Sequence, residues 1–321
     1  MTNSRESRGR PRPPRPERPV AAPHTVTVGV DMGGSKTRLQ ARRGQEILAD
    51  RTLPSVDVLH GEYGATAEAI ARLVLRLLGD SRLPEAVVVG AHGCDSQAQK
   101  EELRLLLARR LPAACKVVND AELLLPAAGL TSGVAVVAGT GSVAVGHTAD
   151  GRVLQCGGWG WMLGDEGGAA GIVRESAKAC LERADRGLPE DELTRRLTCA
   201  FGVTAVADLG SAMAKASGAS EWGRHAAAVF DAADDGSPAA VGVIENAGDA
   251  LAGLVLQLAS RGVGVGDVVV AGGVIVAQQR LRDAFTGALC RLLPGSRCVV
   301  LRDPPVAGAL ALATELVVTG H

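Results

Sequence analysis

The sequence predicts an α/β fold built from two similar halves, and three features carry that expectation. A strand, a glycine turn and a returning strand occur twice. Thr25–Val30 runs into Asp31-Met32-Gly33-Gly34-Ser35-Lys36-Thr37 and returns as Arg38–Ala41, and Val134–Val137 breaks into Gly139-Thr140-Gly141-Ser142 and resumes as Val143–Val145. Short, wholly apolar runs such as Val87-Val88-Val89 and Val268-Val269-Val270 read as buried parallel strands. A third strand follows each hairpin, at 46–52 and at 152–155 after the Asp150-Gly151 turn, so that two β-β-β units with helices indicate a duplicated architecture.

Taken in order, residues 1–23 hold six arginines and six prolines with almost nothing apolar, which predicts a flexible basic arm unable to bury enough surface to offset ordering. Asp31 stands at the end of the first strand, where it could hold Mg²⁺ through water while Gly33, Gly34 and Ser35 line phosphates; the alternative is a ligand-free turn. An amphipathic helix is predicted over 64–79, with Ile70, Leu73, Val74 and Leu77 on one face, and another over 97–110. Cys115-Lys116-Val117-Val118-Asn119-Asp120 is a short strand ending in a carboxylate, followed by a helix from Ala121. Asp120 is therefore either a ligand-binding group at a strand's carboxyl end or a helix N-cap. Helices dominate 166–262. At Gly272-Gly273 the chain passes from strand to helix, where a residue without a side chain would let an adenosine lie against the backbone. A strand at 299–301 and a final helix over 304–318, opened by Pro304-Pro305, complete the pattern.

Composition limits the function. The 321 residues are 46% hydrophobic and 21% charged with a formal net charge of −1, which suits one large or two medium globular domains and argues against nucleic acid, whose phosphates call for a concentrated positive field. Seven cysteines with no C-x-x-C pair suggest neither a zinc site nor a disulfide framework, and point to a reducing cytoplasm. No uninterrupted apolar run approaches the roughly 18 to 20 residues of a membrane span, so no membrane partner is expected. The 41 glycines, against a usual share of about 7%, cluster at 33–34, 139–141, 157–160, 164–168 and 272–273.

The stretch 134–168 is where the chemistry is expected. Gly139 and Gly141 let backbone N–H groups crowd an anion while Thr140 and Ser142 add hydroxyl donors. Trp159 and Trp161 are two of three tryptophans in a chain that is 2% aromatic; they offer flat faces for a sugar ring, or else they are core anchors. Asp165 and Glu166 could accept hydrogen bonds from hydroxyls. His92, in the polar segment Ala91-His92-Gly93-Cys94-Asp95, receives no role and is expected to be a satisfied loop histidine.

Together, D-M-G-G-S-K-T at 31–37, V-V-N-D-A-E at 117–122, V-V-A-G-T-G-S at 136–142, C-G-G-W-G-W-M-L-G-D-E-G at 156–167 and V-A-G-G-V at 270–274 resemble the sugar-kinase, Hsp70 and actin superfamily. More closely they resemble the N-acetylglucosamine kinases of the BadF/BadG group, over about residues 25–318. The resemblance implies two ribonuclease-H-like lobes with ATP between them and the acceptor sugar deeper in the cleft. The lobes would be 24–130, joined by the final helix 304–318, and 131–303. It implies that Asp31 positions Mg²⁺, that Gly33, Gly34, Ser35 and Lys36 meet the nucleotide from one lobe, and that Gly139, Thr140 and Gly141 meet it from the other. Asp120 would be the general base, Gly158, Trp159 and Asp165 would contact the sugar, and Gly272 and Gly273 would form the adenosine loop. The related kinases carry a sugar-binding Asn after the third strand where this chain has Val56, followed by Asp57. The expected partner is a small-molecule sugar or amino sugar, and a homodimer is left open. The rival implication is an ATPase that activates a partner enzyme through an iron-sulfur cluster, for which Cys156 is the one candidate ligand.

Overall fold

The computed structural model describes residues 22–59, 61–79 and 82–320, so the arm expected over 1–23 lies almost wholly outside the described residues. Its first half is a five-stranded sheet of β1 (Val26–Met32), β2 (Lys36–Arg43), β3 (Glu46–Pro54), β4 (Ala86–Ala91) and β5 (Ala114–Val118), in the order β3-β2-β1-β4-β5. β1, β2 and β3 are antiparallel, and β4 and β5 run parallel to β1. The second half repeats the plan with β6 (Val134–Ala138), β7 (Ser142–His147), β8 (Val153–Gly157), β9 (Asp267–Ala271) and β10 (Arg297–Val300), in the order β10-β9-β6-β7-β8. The alternation of glycine hairpins and apolar parallel strands therefore translates into two copies of one mixed sheet.

Burial follows from the residue types. β4, with the sequence AVVVGA, is buried at every position, as a central parallel strand covered on both faces must be. The Tyr63–Leu78 helix buries Ile70, Ala71, Val74 and Leu78 against that sheet. The Val306–Thr319 helix belongs spatially to the first half: Ala309 and Ala313 form one apolar cluster with Val88 of β4, Val118 of β5 and Leu123. A span that tolerates one or two charges is a looser test than an uninterrupted apolar run. Pro238–Ser260 passes that test by length and composition, since only Glu245 and Asp249 interrupt it. In the fold its Val243, Ile244, Leu251 and Val255 lie in the core of the second half, which accounts for their apolar character.

The segment after β5 also differs from expectation. In place of a helix starting at Ala121 there is a 3₁₀ turn, Asp120–Leu123, and then one short helical turn, Leu124–Ala127. Asn119, not Asp120, is the cap: its side chain accepts from the Ala121 N–H, and the Glu122 carboxylate accepts from the Asn119 N–H at 2.9 Å. Pro126 removes a donor in the short turn and Gly129, at φ 73°, ends it. Leu124 and Leu125 then pack against Ala135, Val269 and Ala271 of the second sheet, so this segment carries the chain from one half to the other.

Candidate functional site

The two glycine hairpins sit at corresponding ends of the two sheets, between β1 and β2 and between β6 and β7. The first is tied down by a residue for which no role was read from the sequence. Ser55 opens the Ser55–Asp57 3₁₀ turn after β3; its hydroxyl donates to the Gly33 carbonyl at 2.6 Å, pairs with the Thr37 hydroxyl at 2.9 Å, and its N–H donates to the Ser35 carbonyl at 3.0 Å. Val56 and Asp57 are thereby carried to the edge of the Gly33–Ser35 turn. Val56 is 76% exposed, more than an apolar side chain without a partner normally is.

The second hairpin is held by a helix. The N–H groups of Ala169 and Ala170, at the start of the Ala169–Asp185 helix, donate to the carbonyls of Gly139 and Thr140 at 2.8 and 3.1 Å. Approach this close needs bare backbone, for a Cβ at Gly168 would stand 2.6 Å from the Gly141 backbone. Asp165 lies under this contact. It is the only non-glycine residue with positive φ among those described, at 59°; it is buried, and its Oδ1 has no partner. Burial pushes its carboxyl above the usual range, against N–H groups of Ser142 and Gly160 that stabilise the charge. An orphaned carboxylate oxygen on a strained backbone is the kind of group a bound hydroxyl would satisfy.

The tryptophans divide between the two readings. Trp161 meets Trp222 edge-on, with ring centroids 4.5 Å apart, and is an anchor; Trp159 is 77% exposed beside the exposed Met162 and Leu163. Gly158, on the same loop, has φ 74° and its N–H donates to the Ser142 carbonyl at 2.9 Å.

Across the hairpins stand two carboxylates, Asp31 on β1 and Asp120 just past β5. Burial first, and then the negative charge of Asp120, push the Asp31 carboxyl up to about 7, with the Arg38 charge working in the other direction. A group in that position gains from a cation. Among the described residues there is no cluster of three or more His, Cys, Asp or Glu that could hold a metal alone. Two carboxylates beside a glycine turn nevertheless fit Mg²⁺, which uses one or two carboxylates and leaves the rest of its shell to water and other oxygen ligands. Asp120 Oδ1 accepts from the Ala121 N–H at 3.0 Å, and its Oδ2 is 3.4 Å from His92 Nδ1. His92 thus contacts the candidate base through one ring nitrogen, on a side chain that is otherwise exposed. A sequence signal existed: β4 and β5 pair in parallel from Ala86↔Ala114 to Gly90↔Val118, and two further steps in that register bring His92 opposite Asp120.

Gly272 and Gly273 lie where β9 gives way to the Gly273–Ala277 helix. Gly272 has φ 107° and ψ 147°, a region essentially closed to side chains, and a Cβ there would collide with the Ala138 carbonyl. At Gly273 a Cβ would meet nothing within 4 Å. Gly272→Ala is accordingly expected to cost about 1 to 3 kcal/mol of stability, and Gly273→Ala less than about 1. Urea unfolding of both variants checks this; equal costs would remove the backbone constraint at Gly272.

A cavity of about 960 Å³ lies elsewhere. It is bounded by Gly44, Lys116, His147, Gly151, Leu310 and Glu315 among others, near the strand ends opposite the hairpins, and none of the candidate site residues lines it. Cys156, which a cluster-binding activator would use, is buried with the Arg261 guanidinium donating to its Sγ at 3.4 Å.

The fold of two mixed sheets in duplicate is shared with solved structures of low sequence identity. A structure from Chromobacterium violaceum, provisionally designated an N-acetylglucosamine kinase, superposes with a TM-score of 0.68 at 23% identity, covering 91% of this chain and 100% of that one. A ROK family glucokinase from Streptomyces griseus in complex with glucose and AMPPNP superposes at 0.56 with 19% identity, covering 90% and 99%. The chain belongs to the BadF/BadG/BcrA/BcrD ATPase family, which it matches over residues 28–311. It is 31% identical over 168 residues to an N-acetylmuramic acid/N-acetylglucosamine kinase of Clostridium acetobutylicum, covering 50% of this chain and 54% of that protein. It is 27% identical over 201 residues to an N-acetyl-D-glucosamine kinase of Dictyostelium discoideum, covering 57% and 63%. The matches thus span between half and two thirds of these relatives' length.

Proposed function

We propose that this chain is an ATP-dependent kinase that transfers the γ-phosphoryl group to a hydroxyl of a sugar or amino sugar. The observation that carries the proposal is the carboxylate pair, Asp31 on β1 and Asp120 just past β5, the parallel strands on either side of β4, beside a glycine hairpin, with a second hairpin supplied by the other sheet. We take the lobes to be 24–130 with 304–318, and 131–303. Gly33, Gly34, Ser35 and Lys36 would bind the terminal phosphates from one side and Gly139, Thr140 and Gly141 from the other, with adenosine over Gly272 and Gly273. Asp31 would hold Mg²⁺ with or without intervening water, and the ion would neutralise phosphate charge.

Asp120 would act as the base. As the sugar hydroxyl oxygen bonds to the γ-phosphorus, its proton passes to the Asp120 carboxylate; the bond from that phosphorus to the bridging oxygen breaks, and its electron pair leaves with ADP. Asp165 Oδ1, unpartnered in the fold, would accept from a second hydroxyl, Gly158 would bring bare backbone alongside the ring, and Trp159 would lie against its apolar face. ADP release measured with purified protein, Mg-ATP and a panel of hexoses, amino sugars and aminocyclitols tests the proposal. Release that no acceptor stimulates would refute it.

The names of the relatives support an amino-sugar acceptor, and the Ser55–Asp57 turn bears on which kind. Val56 can neither donate nor accept, so a hydroxyl buried against it lacks a partner, at a cost of about 1 to 3 kcal/mol or about 5- to 150-fold in affinity. Asp57, one place along, is anionic and favours a free ammonium over an acetamido group. Glucosamine is therefore expected to give a higher kcat/KM than N-acetylglucosamine, Val56→Asn to narrow the gap, and Asp57→Ala to abolish it. A wild-type preference for the acetylated sugar that neither substitution alters would show that these two positions do not read the acceptor.

A further inference from the structure

We propose that the cavity of about 960 Å³ at the strand ends opposite the hairpins is a binding site for a small organic anion with an apolar body, and that its occupancy is linked to the relative position of the two halves. The site shares no residue with the catalytic arrangement proposed above, so its existence stands or falls apart from the kinase reading.

Parts of the chain that are remote in sequence build its walls. The first half contributes Arg42 near the end of β2, the Gly44-Gln45 turn that follows, and Lys116 and Val118 on β5. Two residues apart on a strand, Lys116 and Val118 share a face, and Val118 packs there against Ala309 and Ala313 of the Val306–Thr319 helix. That helix supplies Ala307, Leu310, Ala311, Thr314 and Glu315, whose spacings of three and four residues mark one stripe along it. The second half supplies His147 and Thr148 at the end of β7, Gly151 in the turn to β8, and Gly262 and Gly264 after the Pro238–Ser260 helix. Pro126 and Leu130 of the crossing segment also line it.

The volume falls in the range of about 300 to 1,000 Å³ usual for small-molecule sites, and the lining decides which kind of molecule fits. Lys116 has no ion pair among the described residues. Arg42 Nε donates to the uncharged Gln40 Oε1 at 3.2 Å, and Asp50, whose charge Arg42 also feels, is already held by Arg38 at 2.9 and 2.7 Å. The anions are fewer. Glu122 is neutralised by Lys100 and His147, which leaves Glu315, an exposed residue without an ion pair among those described. Two cations lacking a carboxylate of their own thus stand against one carboxylate, alongside the apolar Pro126, Leu130, Ala311 and Leu312. A neutral apolar molecule would strip water from Lys116 and Arg42 with nothing in return, and an inorganic anion would leave the apolar wall wet; an anion with an apolar body satisfies both.

The linkage follows from where the walls come from. His147 of β7 meets Glu122 of the crossing segment at 3.2 Å in the same lining, so the cavity sits at the joint itself. A ligand touching Lys116 on one side and the β7–β8 turn on the other is held more tightly at one spacing of the halves than at another. A nucleotide gripped by both hairpins at the opposite strand ends favours one spacing as well. Two ligands that prefer different, or the same, arrangements of one joint must alter each other's affinity reciprocally.

The probe is anilinonaphthalenesulfonate, an organic anion whose fluorescence rises when its rings leave water, compared with the neutral phenylnaphthylamine, which has the rings without the sulfonate. For the full chain we expect saturable binding of the sulfonate, about tenfold or more tighter than that of the neutral amine and weakened by salt. Lys116→Gln combined with Arg42→Gln should remove most of that preference. Two further variants fill the cavity and leave its charges in place: a Cβ at Gly264 meets nothing within 4 Å, so Gly264→Leu extends into open space, and Ala311→Phe fills from the helix side. Both should lose saturable binding while keeping the wild-type urea midpoint, whereas Leu163→Gln, on an exposed loop outside the cavity, should bind as the wild type does. Mg-AMPPNP, its binding followed by calorimetry, should shift the dissociation constant of the sulfonate by about fivefold or more, and the sulfonate should shift that of Mg-AMPPNP by the same factor. Binding that the neutral amine matches, or that survives the charge variant and both filling variants, overturns the site. Binding at the cavity that leaves the affinity for Mg-AMPPNP unchanged overturns the linkage. Failure of Mg-AMPPNP to bind at all refutes the kinase reading, and the site is then decided by the variants alone.

Discussion

Asp120→Asn is expected to lower kcat by about 10²-fold or more, the usual loss for a positioned base, with ATP affinity little changed. The asparagine can still accept from the Ala121 N–H with its amide oxygen and can fill the same space, so the 3₁₀ turn and its Asn119 cap should survive. What it cannot do is take up the proton of the attacking hydroxyl. The loss should therefore appear in kcat and kcat/KM together, the signature of an interaction realised in the transition state, while nucleotide binding across the hairpins persists. Single-turnover measurements and ATP titration by calorimetry separate the two. A variant that retains most of its turnover removes Asp120 from the mechanism.

Why the sequence revealed some parts of this site and not others is a matter of range. The ten strands were legible because each is a short apolar or alternating run bounded by glycine or a charge, and the duplication was legible because the hairpins at 33–35 and 139–141 repeat one local pattern. Asp120 was placed at its strand end, but the segment after it was misread as a helix. Its first residues instead cap each other through Asn119 and Glu122, a pairing that depends on side chains rather than on periodicity. Ser55 was missed because its partners, Thr37 and Gly33, are 18 and 22 residues away across a hairpin. The two readings of Trp161 and Trp159 could not be separated locally either: Trp161 is an anchor only because Trp222, on a later helix, comes to meet it.

Glu122 supplies the second large expected effect, and it concerns how the halves are joined. Its carboxylate, buried in the crossing segment, is paired with Lys100 of the Gln97–Ala108 helix, accepts from the Asn119 N–H at 2.9 Å, and lies 3.2 Å from His147 Nε2 at the end of β7 in the other sheet. Burial alone would push this carboxyl up, but the hydrogen bonds from His147 and Lys100, the Lys100 charge and the Asn119 N–H outweigh it and hold it down at about 2. A buried pair of this kind adds little when compared with apolar packing, yet removing one partner strands the other charge. Lys100→Met should therefore cost about 3 to 5 kcal/mol in urea unfolding, whereas Lys100→Met combined with Glu122→Gln should recover much of the loss. The sign with pH is also fixed. A carboxyl depressed from 4.5 to about 2 stabilises the fold fully above about 4.5, and that contribution disappears as pH falls through about 2, because protonation then removes the charge that Lys100 and His147 hold. Glu122→Gln should flatten this acid limb of the stability curve. If Lys100→Met proves as stable as the wild type, or the acid limb of Glu122→Gln matches that of the parent, the joint between the halves is held by Leu124, Leu125 and the apolar contacts around them rather than by this ion pair.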